Sequence, residues 1–118
     1  MLVLEDQALV REAIVATFHH EPGFTVVQAG SLTEARRLLE GVDVAILDLS
    51  LPDGNGADLI PELHAASPHA TVVILTSSID PGEVAQALQR GAAAALNKLD
   101  HLDLLLATVN RLRRRPAV

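Results

Sequence analysis

The sequence predicts an α/β fold, a five-stranded doubly wound parallel sheet in the strand order 2-1-3-4-5. Short apolar runs alternate with helically spaced stretches along the whole chain. The apolar runs lack a polar face, as strands do when helices cover both sides of a parallel sheet. Right-handed crossovers then leave few ways to order five such β-α units. No linker, repeat or low-complexity block interrupts the pattern, so residues 1–118 read as one domain.

Each element has its own signal. Met1–Leu4 is the first apolar run. From Asp6 to about His20, the positions Leu9, Val10, Ala13, Ile14, Thr17 and Phe18 form one stripe and predict a helix. Phe24–Ala29, rich in β-branched residues, is the second strand. Ser31-Leu-Thr-Glu34 is a capping box and Gly41 a stop, which predicts a helix over Ser31–Glu40. Asp43–Leu49 is the third strand. Gly56–Ala66 reads as helix, with Pro61 tolerable only in its first turn and Pro68 closing it. Ala70–Thr76 is the fourth strand. Asp80-Pro81-Gly-Glu83 supplies an N-cap, a proline at the first helical position and a capping acid for a helix that Gly91 ends. Ala92–Lys98 is assigned as strand from context alone, against the helical preference of four consecutive alanines. Asp100 to about Arg114 is the last helix, with Leu102, Leu105, Leu106, Val109 and Leu112 on one face.

Composition narrows the function. The chain has 118 residues, 49% of them hydrophobic, enough to bury a core. Aromatics are 2% of the chain, Phe18 and Phe24, which leaves no stacking platform for single-stranded nucleic acid. A net charge of −6 argues against nucleic-acid binding by this domain. The absence of cysteine removes disulfide scaffolds and thiolate metal sites, and fits a cytoplasmic location. No apolar run spans a membrane and no signal peptide is apparent, so no membrane partner is expected. The basic stretch over 111–118 reads as a helix end offsetting the macrodipole, or as the start of a linker to an output domain outside this chain. Histidines 19, 20, 64, 69 and 101 lack ligand spacing and receive no role.

The chemistry collects where the strands end. Asp48 is an acid at the end of an apolar strand, costly unless something binds it. In the predicted order the first and third strands are neighbours at the switch point, where ligands bind in open α/β sheets. Glu5, Asp6 and Asp48 should therefore share a cleft flanked by Thr76 and Lys98. Three carboxylates repel, and a hard dication such as Mg2+ relieves them. A carboxylate can also act as nucleophile and form an acyl phosphate. A hydroxyl, an ammonium and a dication then neutralise the transferring group. Each feature alone has a plain structural reading, with Asp48 as a turn cap, Glu5 and Asp6 as a helix N-terminus, Thr76 as a strand residue and Lys98 as a solvated turn lysine. Lys98 stands out as the only lysine in the chain.

The pieces Leu-Glu5-Asp6, Leu47-Asp48-Leu-Ser-Leu-Pro52-Asp-Gly54, Ile74-Leu-Thr76-Ser and Leu96-Asn-Lys98, in this order at strand ends, resemble the receiver domain of two-component response regulators. The resemblance covers essentially the whole chain and implies a flavodoxin-like fold. It implies that Asp48 accepts a phosphoryl group from a sensor histidine kinase, and that Glu5, Asp6, Asp48 and the backbone carbonyl of Ser50 hold Mg2+. Thr76 is then the switch hydroxyl, with Lys98 and the backbone N–H of Ser77 binding the phosphoryl group. The face of the fourth helix, fifth strand and fifth helix would mediate homodimerisation or output, and an absent output domain would serve transcription regulation. The chain departs from the family pattern at Ala95, where a switch Tyr or Phe usually stands, and at Leu99, where proline is common. A degenerate interaction module that does not switch is the alternative reading, supported by Ala95. A phosphatase using an aspartyl phosphate ranks lower, since Ser50 stands where such enzymes carry a second Asp. A flavin module lacks its phosphate loop after the first strand.

Overall fold

Five short apolar segments pair in parallel in the order β2-β1-β3-β4-β5. They are β1 (Leu2–Leu4), β2 (Val27–Ala29), β3 (Val44–Asp48), β4 (Thr71–Thr76) and β5 (Ala94–Asn97). The computed structural model describes residues 1–77, 80–98, 100 and 102–113; Leu99, His101 and the predicted helix end at Arg114 lie outside them. Register places Leu4 beside Leu47, Leu47 beside Ile74 and Ile74 beside Ala95, so the strand ends form one edge.

Alternation along the strands feeds two cores. Leu2, Leu4, Ala45, Leu47, Val72 and Ile74 belong to one, and Met1, Val3, Val44, Ile46, Val73 and Leu75 to the other. α1 (Ala8–His19) and α5 (Leu102–Arg113) cover the second core with Ile14, Phe18, Leu105 and Val109. α2 (Leu32–Ala35), α3 (Leu59–Ala66) and α4 (Pro81–Arg90) cover the first with Leu32, Leu59, Ile60, Leu63 and Ala87. Burying each large side chain contributes about 1.5–3 kcal/mol. Among the described residues, no helix is long and apolar enough to cross a membrane.

The punctuation signals of α3 and α4 act as read. Asp80 accepts from the N–H groups of Gly82 and Glu83, Pro81 opens α4, and Gly91 closes it at φ 118°. Pro61 lies in the first turn of α3. The alanine run pairs as β5 because β4 offers an open edge: Ala93 N–H reaches Val72 O at 2.7 Å and Lys98 N–H reaches Thr76 O at 2.9 Å.

Most elements are shorter than predicted: β5 spans Ala94–Asn97 rather than Ala92–Lys98, α3 starts at Leu59 after a 3-10 turn over Gly56–Asp58, and α2, β2 and α1 are cut back for visible reasons. α2 ends at Ala35 rather than Glu40. Beyond it the bonds tighten to Arg37 N–H on Glu34 O and Leu38 N–H on Ala35 O. The Ser67 hydroxyl then donates to Leu39 O at 2.6 Å and accepts from Val42 N–H at 3.1 Å, so a side chain from the end of α3 takes over the backbone groups. β2 begins at Val27, since Phe24 leaves the sheet to pack edge-on against Phe18 at 5.2 Å under the Arg113 guanidinium. α1 starts at Ala8 behind Gln7, which makes no side-chain cap bond. The segment after β3 also carries an unpredicted hairpin, its two-residue arms Ser50–Leu51 and Gly54–Asn55.

Candidate functional site

The C-terminal edge of the sheet gathers the acids. Glu5 follows β1 and Asp48 ends β3, the adjacent central strand; both are buried, at 1% and 2% exposure. Asp6 is exposed, and one carboxylate oxygen from each of Glu5, Asp6 and Asp48 lies within 4.8 Å of the others. Lys98, just past β5, reaches across: its Nζ is 2.6 Å from Glu5 Oε1 and 2.9 Å from Asp48 Oδ2. Residues separated by most of the sequence thus meet in one pocket, as the strand order requires.

The electrostatics assign different states to the two buried acids. Burial pushes the Glu5 carboxyl up to about 7, and the Asp48 carboxylate beside it adds to the rise against the pull of Lys98. Burial also raises Asp48, but its bonds with Glu5 and Lys98 and the Ser50 N–H on Oδ1 at 3.2 Å outweigh that and hold it below the ordinary value. Burial lowers Lys98, and Glu5 and Asp48 together reverse this and raise it. The surroundings thus favour the ionised form of Asp48 and shift Glu5 toward its protonated form. Glu5 Oε2 is buried and meets no donor among the described residues. An orphaned buried oxygen beside two more carboxylates suits a hard cation with oxygen ligands.

The loop after Asp48 is built to pass close to it. Gly56 N–H bonds Leu49 O at 2.9 Å, and a side-chain carbon at position 56 would sit 1.9 Å from Asp48 O, so only glycine fits. Asn55 Oδ1 accepts from Ala57 N–H and starts the 3-10 turn into α3. Asp53 reaches back to α2, accepting from Leu32 N–H, Thr33 N–H and the Thr33 hydroxyl at 2.9, 3.1 and 2.9 Å. Those bonds hold its carboxyl below the ordinary value. Arg11 Nη1 donates to Glu5 O at 2.8 Å and steadies the other acidic loop. Sequence reasoning gave none of Gly56, Asp53 or Arg11 a role. The run Asp53-Gly-Asn-Gly56 was the available signal, visible as a turn but not as a support for Asp48.

Thr76 ends β4, buried, and Ser77 follows on the surface. Both line a groove of about 430 Å3 together with Ser50, Asn55, Asp80 and Glu83. Ala95, half-buried and paired with Ile74, packs against the core covered by α3 and α4. A second cavity of about 300 Å3, at the opposite edge near Met1, Phe24, Asp43 and Arg113, collects no comparable acid cluster.

Known proteins resemble this chain in sequence and in fold. A profile of the response regulator receiver domain family matches residues 1–110. The transcriptional regulatory protein DpiA of Escherichia coli (strain K12) is 33% identical over 118 residues, an alignment covering 98% of this chain and 52% of that protein. A cyclic di-GMP phosphodiesterase of Thermotoga maritima is 32% identical over 116 residues, covering 98% of this chain and 31% of the relative. The chain therefore spans about half or less of the curated relatives it matches. In shape it resembles a response regulator receiver domain protein of Methanospirillum hungatei JF-1, with a TM-score of 0.87 at 22% identity over 94% of this chain and 90% of the other. That likeness concerns the fold.

Proposed function

This chain belongs to the response regulator receiver domain family, and from that premise we propose that it is a phosphorylation-dependent signalling switch whose phosphoacceptor is Asp48. The observation that carries the reading is the Lys98 ammonium held between a buried, ionised Asp48 and Glu5, with Asp6 completing an acidic triad. The donor is the phosphohistidine of a sensor histidine kinase. An Asp48 carboxylate oxygen attacks phosphorus, the P–O bond forms as the P–N bond breaks, and the imidazole leaves with that electron pair.

Glu5, Asp6, Asp48 and the Ser50 carbonyl would hold Mg2+, which when bound supplies charge neutralisation for the incoming phosphoryl oxygens. Lys98 shifts from Asp48 Oδ2 to a phosphoryl oxygen. Thr76 supplies its hydroxyl and Ser77 its N–H from the groove wall. The domain catalyses only its own phosphorylation and dephosphorylation. Its setting is the cytoplasm. The face of α4, β5 and α5, where Leu88 and Leu104 are exposed, serves homodimerisation or an output domain. Several relatives are named as transcriptional regulators, which supports a DNA-binding output domain elsewhere in the full protein.

Ala95 favours one second reading, a receiver-like interaction module that does not switch. Treatment with a small-molecule phosphoryl donor and Mg2+ separates the two. The switch reading expects one phosphoryl mass on the intact protein, lost in Asp48→Asn. No mass gain, or a gain that survives the substitution, refutes it. Phosphorylation with no accompanying change in amide exchange across α4 and β5 favours the module.

A further inference from the structure

The hairpin after Asp48 is fastened at both ends, and only one fastening belongs to the acid pocket. At the near end, Ser50 N–H sits on Asp48 Oδ1, and Ser50 pairs with Asn55 across the arms. At the turn, one carboxylate takes three donors from a different element: Asp53 binds Leu32 N–H, Thr33 N–H and the Thr33 hydroxyl. The seat beneath is tight. A side-chain carbon at Gly54, whose φ is 149°, would lie 2.8 Å from Leu32 Cδ1, and Leu32 is itself buried.

We propose that Asp53 is a positioning residue for the metal and phosphoryl site, acting by clamping the Ser50-bearing hairpin onto α2; the inference rests on the receiver reading above. Asp53 satisfies the otherwise unpartnered Leu32 and Thr33 N–H groups of the first turn of α2, but the helix does not depend on it alone. α2 already has its cap in Ser31 Oγ, which accepts from Glu34 N–H, and Glu34 in turn accepts from Gly30 N–H, each at 3.2 Å. Asp53 adds a carboxylate from 20 residues away in sequence, and what it immobilises is its own loop. The arms between are two residues each, too short to absorb a displaced turn without moving Ser50. Coupling of this kind is reciprocal: if the clamp raises affinity for a cation by some factor, the cation strengthens the clamp by the same factor.

Two measurements on the whole chain test this. Calorimetric titration with Mg2+ alone compares the native protein, Asp53→Ala, and Ser67→Ala, whose lost bonds lie at the other end of β3. Asp53→Ala should weaken Mg2+ binding by about fivefold or more, and Ser67→Ala should leave it unchanged while lowering the melting temperature. Amide exchange at Leu32 and Thr33 should slow on adding Mg2+ to the native protein, by a factor matching that affinity change. If Asp53→Ala fails to fold, Asp53→Asn, which keeps one acceptor oxygen, is read the same way. Equal Mg2+ affinity in the native protein and the Asp53 variant overturns the clamp while leaving the receiver reading intact. So does an equal loss in Ser67→Ala. A native protein that takes up no Mg2+ overturns both readings.

Discussion

Removing the Lys98 ammonium should cost more stability than removing the Asp48 carboxylate. The pocket holds two carboxylates of 1% and 2% exposure and one ammonium, 2.6 and 2.9 Å from them. Lys98→Met keeps the chain's bulk and leaves both acids without a cation. Breaking a buried ion pair by deleting one partner costs about 3–5 kcal/mol, and only proton uptake by Glu5 relieves it. Asp48→Asn instead leaves one carboxylate facing one ammonium, a balanced pair, so its cost should stay within about 1 kcal/mol of zero or turn favourable. The assay is urea denaturation in a chelator at pH 7.5. The double substitution should recover most of the Lys98→Met loss, because one of the two repelling acids is gone. Mg2+ should narrow the Lys98→Met deficit by supplying the missing positive charge. Equal destabilisation by Lys98→Met and Asp48→Asn would refute the charge count.

Other perturbations have expected outcomes of their own. Glu5 titrates near 7 in the folded protein against an ordinary 4.5. The native state thus binds more protons between those values, and metal-free stability should decline as pH rises through that window, by up to about 3 kcal/mol. Glu5→Gln should flatten the profile in chemical denaturation, and an unchanged slope would contradict the assignment. Gly56→Ala places a carbon 1.9 Å from the Asp48 carbonyl. It should cost about 3 kcal/mol or more in denaturant titration, since backbone must move, and native stability in the Gly56→Ala protein would show that the loop yields. Ser67→Ala strands the Leu39 carbonyl and Val42 N–H. A loss of about 2 kcal/mol, read as a lower melting temperature, is expected, and no loss would mean that α2 regains its missing turns.

Periodicity and punctuation determined much of this protein. Five apolar runs between helical stripes, with Asp80-Pro81 and Gly91 bounding α4, are local signals, and the structure keeps the elements in the predicted order. Once that order is granted, Glu5, Asp6, Asp48 and Lys98 must meet, because each follows or ends a strand on the same edge. Tertiary structure decided what local pattern cannot carry. Ser67, well over 20 residues along the chain, ends α2 by capturing its backbone. β4 pulls an alanine run with helical preference into a strand by offering unpaired backbone groups. The division of protons between Glu5 and Asp48, and the bonds of Asp53 to α2, depend on burial and on distances of about 3 Å between groups remote in sequence. Hydrophobic period and turn chemistry are properties of neighbours along the chain. Desolvation and charge pairing belong to neighbours in space, and those exist only after folding.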